Sequence, residues 1–137
     1  MYQDTSGGWT VTSCAPSPDE ATIYVANWRK NQLVILSRDG KVMSTFTDPL
    51  LHWSFEEDCY PGIHVTDSGQ VLLCGAMTNP IIQVDKVGRQ RLAEVVTKKD
   101  GATNPLSVYY SKHRGSLIVG MGDTKGIIVF KAKFKTL

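Results

Sequence analysis

Residues Ile23–Gly40, IYVANWRKNQLVILSRDG, return in altered form as Val71–Gly88, VLLCGAMTNPIIQVDKVG. Each begins with an apolar run that ends in a small residue, Val25-Ala26 in one and Cys74-Gly75 in the other. A short polar or irregular link follows and ends in Asn31 or Asn79. A second apolar run comes next, Leu33–Leu36 or Ile81–Val84, and after three more residues stands Gly40 or Gly88. A third version, SLIVGMGDTKGIIVF, occupies Ser116–Phe130. Asn31 and Asn79 lie 48 positions apart, Ile82 and Ile128 lie 46 apart. A β-rich repeat with a period of about 40 to 50 residues predicts the blades of a propeller rather than a helical array.

The local chemistry agrees. The apolar runs are short, rich in Val, Ile, Tyr and Phe, and bounded by Gly, Pro, Asn, Asp or Ser. Asp39-Gly40 supplies the positive φ that a tight hairpin needs, and Thr66–Gln70, TDSGQ, reads the same way. No segment sustains an apolar i, i+3, i+4, i+7 pattern; Lys86–Lys99 comes nearest, yet its EVVT reads as an outer strand. The first repeat therefore predicts strands at Trp9–Cys14, Thr22–Asn27, Gln32–Ser37 and Lys41–Thr47. The second predicts Gly62–Thr66, Val71–Ala76, Ile81–Val84 and Arg91–Thr97. The third offers Leu106–Tyr110, Ser116–Met121 and Ile127–Phe134, with no fourth strand. The expected class is all-β: a partial β-propeller of about three four-stranded blades, near residues 9–47, 61–97 and 105–134, the last without its outer strand. Propellers close with about four to eight blades. Three leave apolar faces in water, so the expectation is half of a six-bladed ring, completed by further blades or by a second copy.

Bulk properties exclude several classes. A chain of 137 residues is one domain's worth and buries a core without metal or disulfide. With 42% hydrophobic and 20% charged residues it has the balance of a soluble globular protein. A net charge of +2 does not by itself call for nucleic acid or a membrane surface. No apolar run is long enough to span a bilayer, and MYQDTSGGWT is no secretory leader, so a cytoplasmic location is expected. Cys14, Cys59 and Cys74 show no zinc spacing and read as reduced thiols, Cys74 within an apolar strand.

The pattern Pro61-Gly62-Ile63, Val65, Asp67, Gly69, Val71–Gly75, then Asn79, Ile81–Val84 and Gly88 resembles an NHL-type repeat. In particular it is similar to the C-terminal six-bladed propellers of tripartite-motif (TRIM) proteins of invertebrates such as molluscs. Lys98–Lys131 looks like the closing blade of such chains. The resemblance covers nearly the whole chain and departs from the family at Asn27–Lys30, where Asp-Gly or Gly-Asn links are usual. It implies a noncatalytic module that recognises a protein partner or RNA, the substrate-recognition part of a TRIM-type E3 ubiquitin ligase. The RING and B-box zinc patterns that carry ubiquitin transfer are not in this sequence.

Candidate chemistry is sparse. In the link Asp48–Tyr60, Glu56, Glu57 and Asp58 beside His52 lack the alternating ligands and turn glycine of a calcium site and read as a solvated acidic loop. Trp53 and Phe55 are expected to pin that loop rather than to bind a ligand. His64 and its counterpart Tyr109 fall on inner strands and are candidate channel residues. Gly120–Gly126, GMGDTKG, lies between two strands and lacks the helix N-terminus of a phosphate loop. If the links between second and third strands share a face with the interblade links, that face carries Trp28, Arg29, Lys30, Met77, Lys98, Lys99, Asn104 and Lys125. Basic side chains beside an aromatic can bind phosphate and stack a base or pack a peptide. No cofactor, no metal and no membrane partner are expected. The alternative is a fragment of a propeller hydrolase related to gluconolactonase-type enzymes, with a metal in its channel.

Overall fold

A computed structural model of the chain describes residues 2–3, 11–53, 60–75, 80–122, 126–131 and 137, with the backbone alone at Thr12. The described residues form eleven β-strands in three antiparallel sheets. The first sheet runs β1 (Val11–Pro16), β2 (Thr22–Asn27), β3 (Gln32–Ser37), β4 (Val42–Thr47) in spatial as in chain order. The second runs β5 (Ile63–Val65), β6 (Val71–Cys74), β7 (Ile81–Val84), β8 (Arg91–Val96). The third holds β9 (Pro105–Ser111), β10 (Ser116–Met121) and β11 (Ile127–Lys131). Among the described residues helical structure is limited to 3-10 turns, at Trp53 and at Lys98–Asp100, so the all-β expectation holds.

β2, β3, β10 and β7 occur where the sequence places strands, residue for residue. Expected Trp9 and Thr10 lie outside the described residues, as do Phe55, Glu56, Glu57, Asp58, Cys59, Met77, Asn79 and Lys125. The β1 register extends to Pro16, two residues past the expected end, because Ala15 and Pro16 continue to face Tyr24 and Ile23.

The sheets stack face to face. Tyr24, Ala26, Leu33, Ile35 and Phe46 of the first sheet pack with Val71, Leu73, Ile82 and Val84 of the second. The opposite face of the second sheet, Leu72, Cys74, Ile81 and Val96, packs with Val108, Leu117 and Val119 of the third. Central strands buried on both faces explain why the apolar runs show so little polar alternation. Burying one such aliphatic side chain contributes about 1.5–3 kcal/mol before entropic losses. The chain is thus a partial β-propeller with β1, β5 and β9 as inner strands.

Two glycines set how closely the sheets approach. Gly88, in the β7–β8 turn, has φ +74, and a Cβ there would lie 2.3 Å from Ile35 Cδ1 of the neighbouring sheet. At Gly62 an added Cβ would fall 2.4 Å from the carbonyl oxygen of Leu106 on β9. Side chains lock the first contact: Tyr24 Oη donates to Lys86 O at 2.8 Å and Ser44 Oγ to Val87 O at 2.7 Å.

Candidate recognition face

In each sheet the chain runs alternately up and down, so the β2–β3 turn and the links leading to β5 and β9 emerge at one end. The β1–β2, β3–β4, β5–β6 and β7–β8 turns emerge at the other. The link end is built first around Asn27, fully buried, whose Oδ1 accepts the backbone N–H of Lys30 at 3.3 Å. Asn31 takes φ +50 to close this turn, and its N–H donates to Trp28 O at 3.2 Å. Asparagine tolerates that left-handed conformation better than most residues.

Trp28 is largely enclosed. Its side chain is only 7% exposed and belongs to the core between the first two sheets. The Arg29 guanidinium covers the ring with its carbon 5.0 Å from the ring centroid. A cation over an indole is attracted by the ring's quadrupole. Arg29 and Lys30 themselves are exposed. Next to them a groove of about 410 Å³ is lined by Lys30, Asn31, Thr47, Asp48, Leu51 and His52. Asp48 is engaged by Arg91, Nη1 to Oδ1 at 3.4 Å.

Lys98 and Lys99 are exposed on the 3-10 turn that leaves the second sheet. Asp100 fixes that turn by accepting the backbone N–H of Thr97 at 2.8 Å. Asn104, half-buried with φ +46, uses its carbonyl to accept the Gly122 N–H at 2.8 Å. These residues stand on different sheets from Arg29 and Lys30, at the same end. Met77 and Lys125 lie outside the described residues.

Trp53 is fully buried and its Nε1 donates to Cys74 O at 2.7 Å, which pins the interblade link across the first sheet contact as expected. Cys74 is buried and Cys14 is exposed, both free thiols.

The inner strands bring His64 and Tyr109 together, ring centroids 4.6 Å apart and planes inclined at 44°. Strand register makes them equivalent: His64 faces Leu72, and Tyr109 faces Ile118. His64 Nε2 is buried with no hydrogen-bond partner among the described residues. Burial pushes the imidazole below its ordinary pKa of 6.5, against opposing pulls from the Tyr110 backbone and Asp67. Among the described residues no group of three His, Cys, Asp or Glu side chains is placed to hold a metal ion.

The hairpin end holds two hollows that the sequence did not point to. One, of about 320 Å³, is lined by Ser17, Asp19, Tyr24, Asp67, Ser68 and Lys86 among others. The other lies beside Met43 and Val87. Their residues come from turns of two sheets, and only the docking of the sheets joins them.

By sequence the chain matches no family model and no curated protein. Solved propeller-type structures are similar in fold. Hydrazine synthase of Kuenenia stuttgartiensis superposes with TM-score 0.66 at 18% identity, over 96% of this chain and 36% of that one. A gluconolactonase from Xanthomonas campestris gives TM-score 0.60 at 20% identity, over 88% and 38%. A putative 6-phosphogluconolactonase from Bacteroides fragilis gives 0.66 at 17% identity, over 92% and 36%. The chain spans well under half the length of each, and likeness at this identity shows the fold alone. No helix among the described residues is long and apolar enough to cross a membrane.

Proposed function

We propose that the chain is a noncatalytic recognition part of an NHL-like propeller of the TRIM type, which binds an acidic protein surface through its link end. The observation that carries this reading is the exposed cationic set Arg29, Lys30, Lys98 and Lys99 at one end, with a groove beside Lys30. The burial of Trp28 favours protein over RNA. Single-stranded RNA binders stack bases on exposed aromatics, worth about 1–3 kcal/mol per base, and this aromatic is covered by Arg29. In this reading, ubiquitin transfer belongs to other domains and the propeller selects the target. The exposed Ile127 and Val129 of the third sheet take a further blade or a second copy.

The test is fluorescence anisotropy with a labelled Glu-rich peptide and a labelled uridine 20-mer, each at 50 and 200 mM salt. The peptide is expected to bind saturably, to weaken with salt, and to weaken several-fold further in the double variant Arg29→Ala, Lys30→Ala. Tighter binding of the RNA, or indifference of the peptide to both substitutions, overturns the reading.

A second reading, a metal-dependent hydrolase fragment of gluconolactonase type, is favoured by the unpartnered Nε2 of His64 on an inner strand. It requires calcium or zinc to raise the melting temperature, to survive dialysis, and to lose that effect in His64→Leu.

A further inference from the structure

The outer edges of the first two sheets are built differently. β8, RLAEVV, carries Arg91 and Glu94, charges of the kind that guard an edge strand against further pairing. β4, VMSTFT, carries neither charge nor proline and, among the described residues, pairs with β3 alone. From Ser44 to Thr47 its register with β3 is regular, Ser44 facing Ile35 and Thr47 facing Gln32. A shift in register confines the irregularity to its start, near Val42. Among the described residues the outer edge of β4 is thus open over Ser44–Thr47.

The edge has a hollow at its end. Val42 and Met43 are 53% and 62% exposed, and Val87, in the β7–β8 turn of the second sheet, is 47% exposed. The Ser44 hydroxyl, donating to Val87 O, fastens that turn beside the edge. Between them lies a groove of about 270 Å³ lined by Ile35, Met43 and Val87 with Lys86 and Arg89 at its rim. No carboxylate lines it. Arg89 is exposed and has no ion-pair partner among the described residues.

We propose that the β4 edge is a docking site for an extended acidic peptide. The peptide adds as a strand along Ser44–Thr47, lays an apolar side chain in the groove between Met43 and Val87, and sets a carboxylate beside Arg89. Main-chain hydrogen bonds supply the attachment in such strand addition, and pockets for alternate side chains supply the choice. The excess of cations at the rim decides the sign of the ligand's charge. The groove and Arg89 lie at the opposite end of the first sheet from Arg29 and Lys30, while the edge itself runs on to Thr47, which lines the groove beside Lys30.

The probe is a fluorescein-labelled decapeptide of alternating Val and Thr with Glu at both ends. Its companions are the same peptide with Lys at the ends, and a version N-methylated at alternate residues. The Glu peptide is expected to bind about tenfold or more tightly than the Lys peptide, and the N-methylated one not at all. Met43→Glu, Arg89→Glu and Thr45→Lys are each expected to weaken binding about tenfold, a loss of about 1.4 kcal/mol. All of these proteins carry Arg29→Ala and Lys30→Ala as background, so that an acidic peptide held at the link end does not enter the reading. Circular dichroism and melting temperature matched to the parent chain establish that each variant is folded. Equal binding of the Glu and Lys peptides, retained binding after N-methylation, or no binding up to millimolar peptide overturns the proposal. Concentration-dependent dimerisation that Thr45→Lys abolishes would assign the edge to a second copy instead, and would likewise overturn it.

Discussion

The two contacts between sheets are made with different materials. Between the first and second sheets lie Tyr24, Trp28, Phe46 and Trp53, and three side chains donate hydrogen bonds to backbone carbonyls across the contact or its link. Between the second and third the buried side chains are aliphatic or small, Leu72, Cys74, Ile81, Val96, Val108, Leu117 and Val119, with Tyr110 and Phe130 at the margin. Hydrogen bonds are directional, so they fix the first contact in register as well as in distance. Aliphatic packing is non-directional, and the second contact instead relies on shape, with the backbone of Gly62 set against Leu106. The same repeat therefore yields one contact tethered by three side-chain donors and one in which aliphatic packing predominates, with His64 held against the Tyr110 backbone and the Tyr109 ring.

The largest test of that contrast is Trp53→Ala against Leu117→Ala. Trp53→Ala removes a buried ring and the donor to Cys74 O, with an expected loss of about 3–5 kcal/mol. Leu117→Ala removes one buried side chain of the second contact, about 2–3 kcal/mol within the usual range for such cavities. Urea unfolding measures both, and a Leu117→Ala cost equal to or above that of Trp53→Ala would break the ranking. Smaller is Gly88→Ala, where φ +74 and the 2.3 Å approach to Ile35 Cδ1 together predict about 2 kcal/mol. Gly69→Ala sharpens it: φ is +84, but the new methyl meets only the flexible end of Lys86, so about 1 kcal/mol is expected. Equal losses at the two glycines would show that backbone conformation, not the approach of the sheets, sets the cost.

The smallest effect concerns pH. His64 has a lowered pKa in the folded chain because burial disfavours its charged form. Between that lowered value and the ordinary 6.5 the unfolded chain holds more protons than the native one, so stability rises with pH in that window. The contribution of neutral His64 is complete above 6.5 and is eroded as the pH falls below it. Melting curves at pH 5.5 and 7.5 should converge for His64→Leu relative to the parent chain. An unchanged difference would place the titration elsewhere.

Much of this was legible in the sequence. Short apolar runs located β2, β3, β7 and β10, because a strand buried on both faces leaves an uninterrupted hydrophobic signature. Trp53 was readable as an anchor from its place in a long polar link. Trp28 was not. It sits in a turn between charged and polar residues, and only the neighbouring sheet makes its ring a core residue while Arg29 stays in water. The grooves beside Lys30 and beside Met43 were equally hidden, since each is assembled from separate stretches of chain.

The order of residues by itself determined that this chain makes short antiparallel sheets three times over, since strand propensity, turn chemistry and repeat spacing are local properties. It also determined which end of each sheet receives which links, because a meander alternates direction. Tertiary structure alone decided which side chains those sheets cover. Whether a tryptophan becomes core, whether a turn glycine meets an isoleucine, and whether a strand edge stays open depend on how closely a second sheet approaches. That distance is set by packing between residues far apart in the chain.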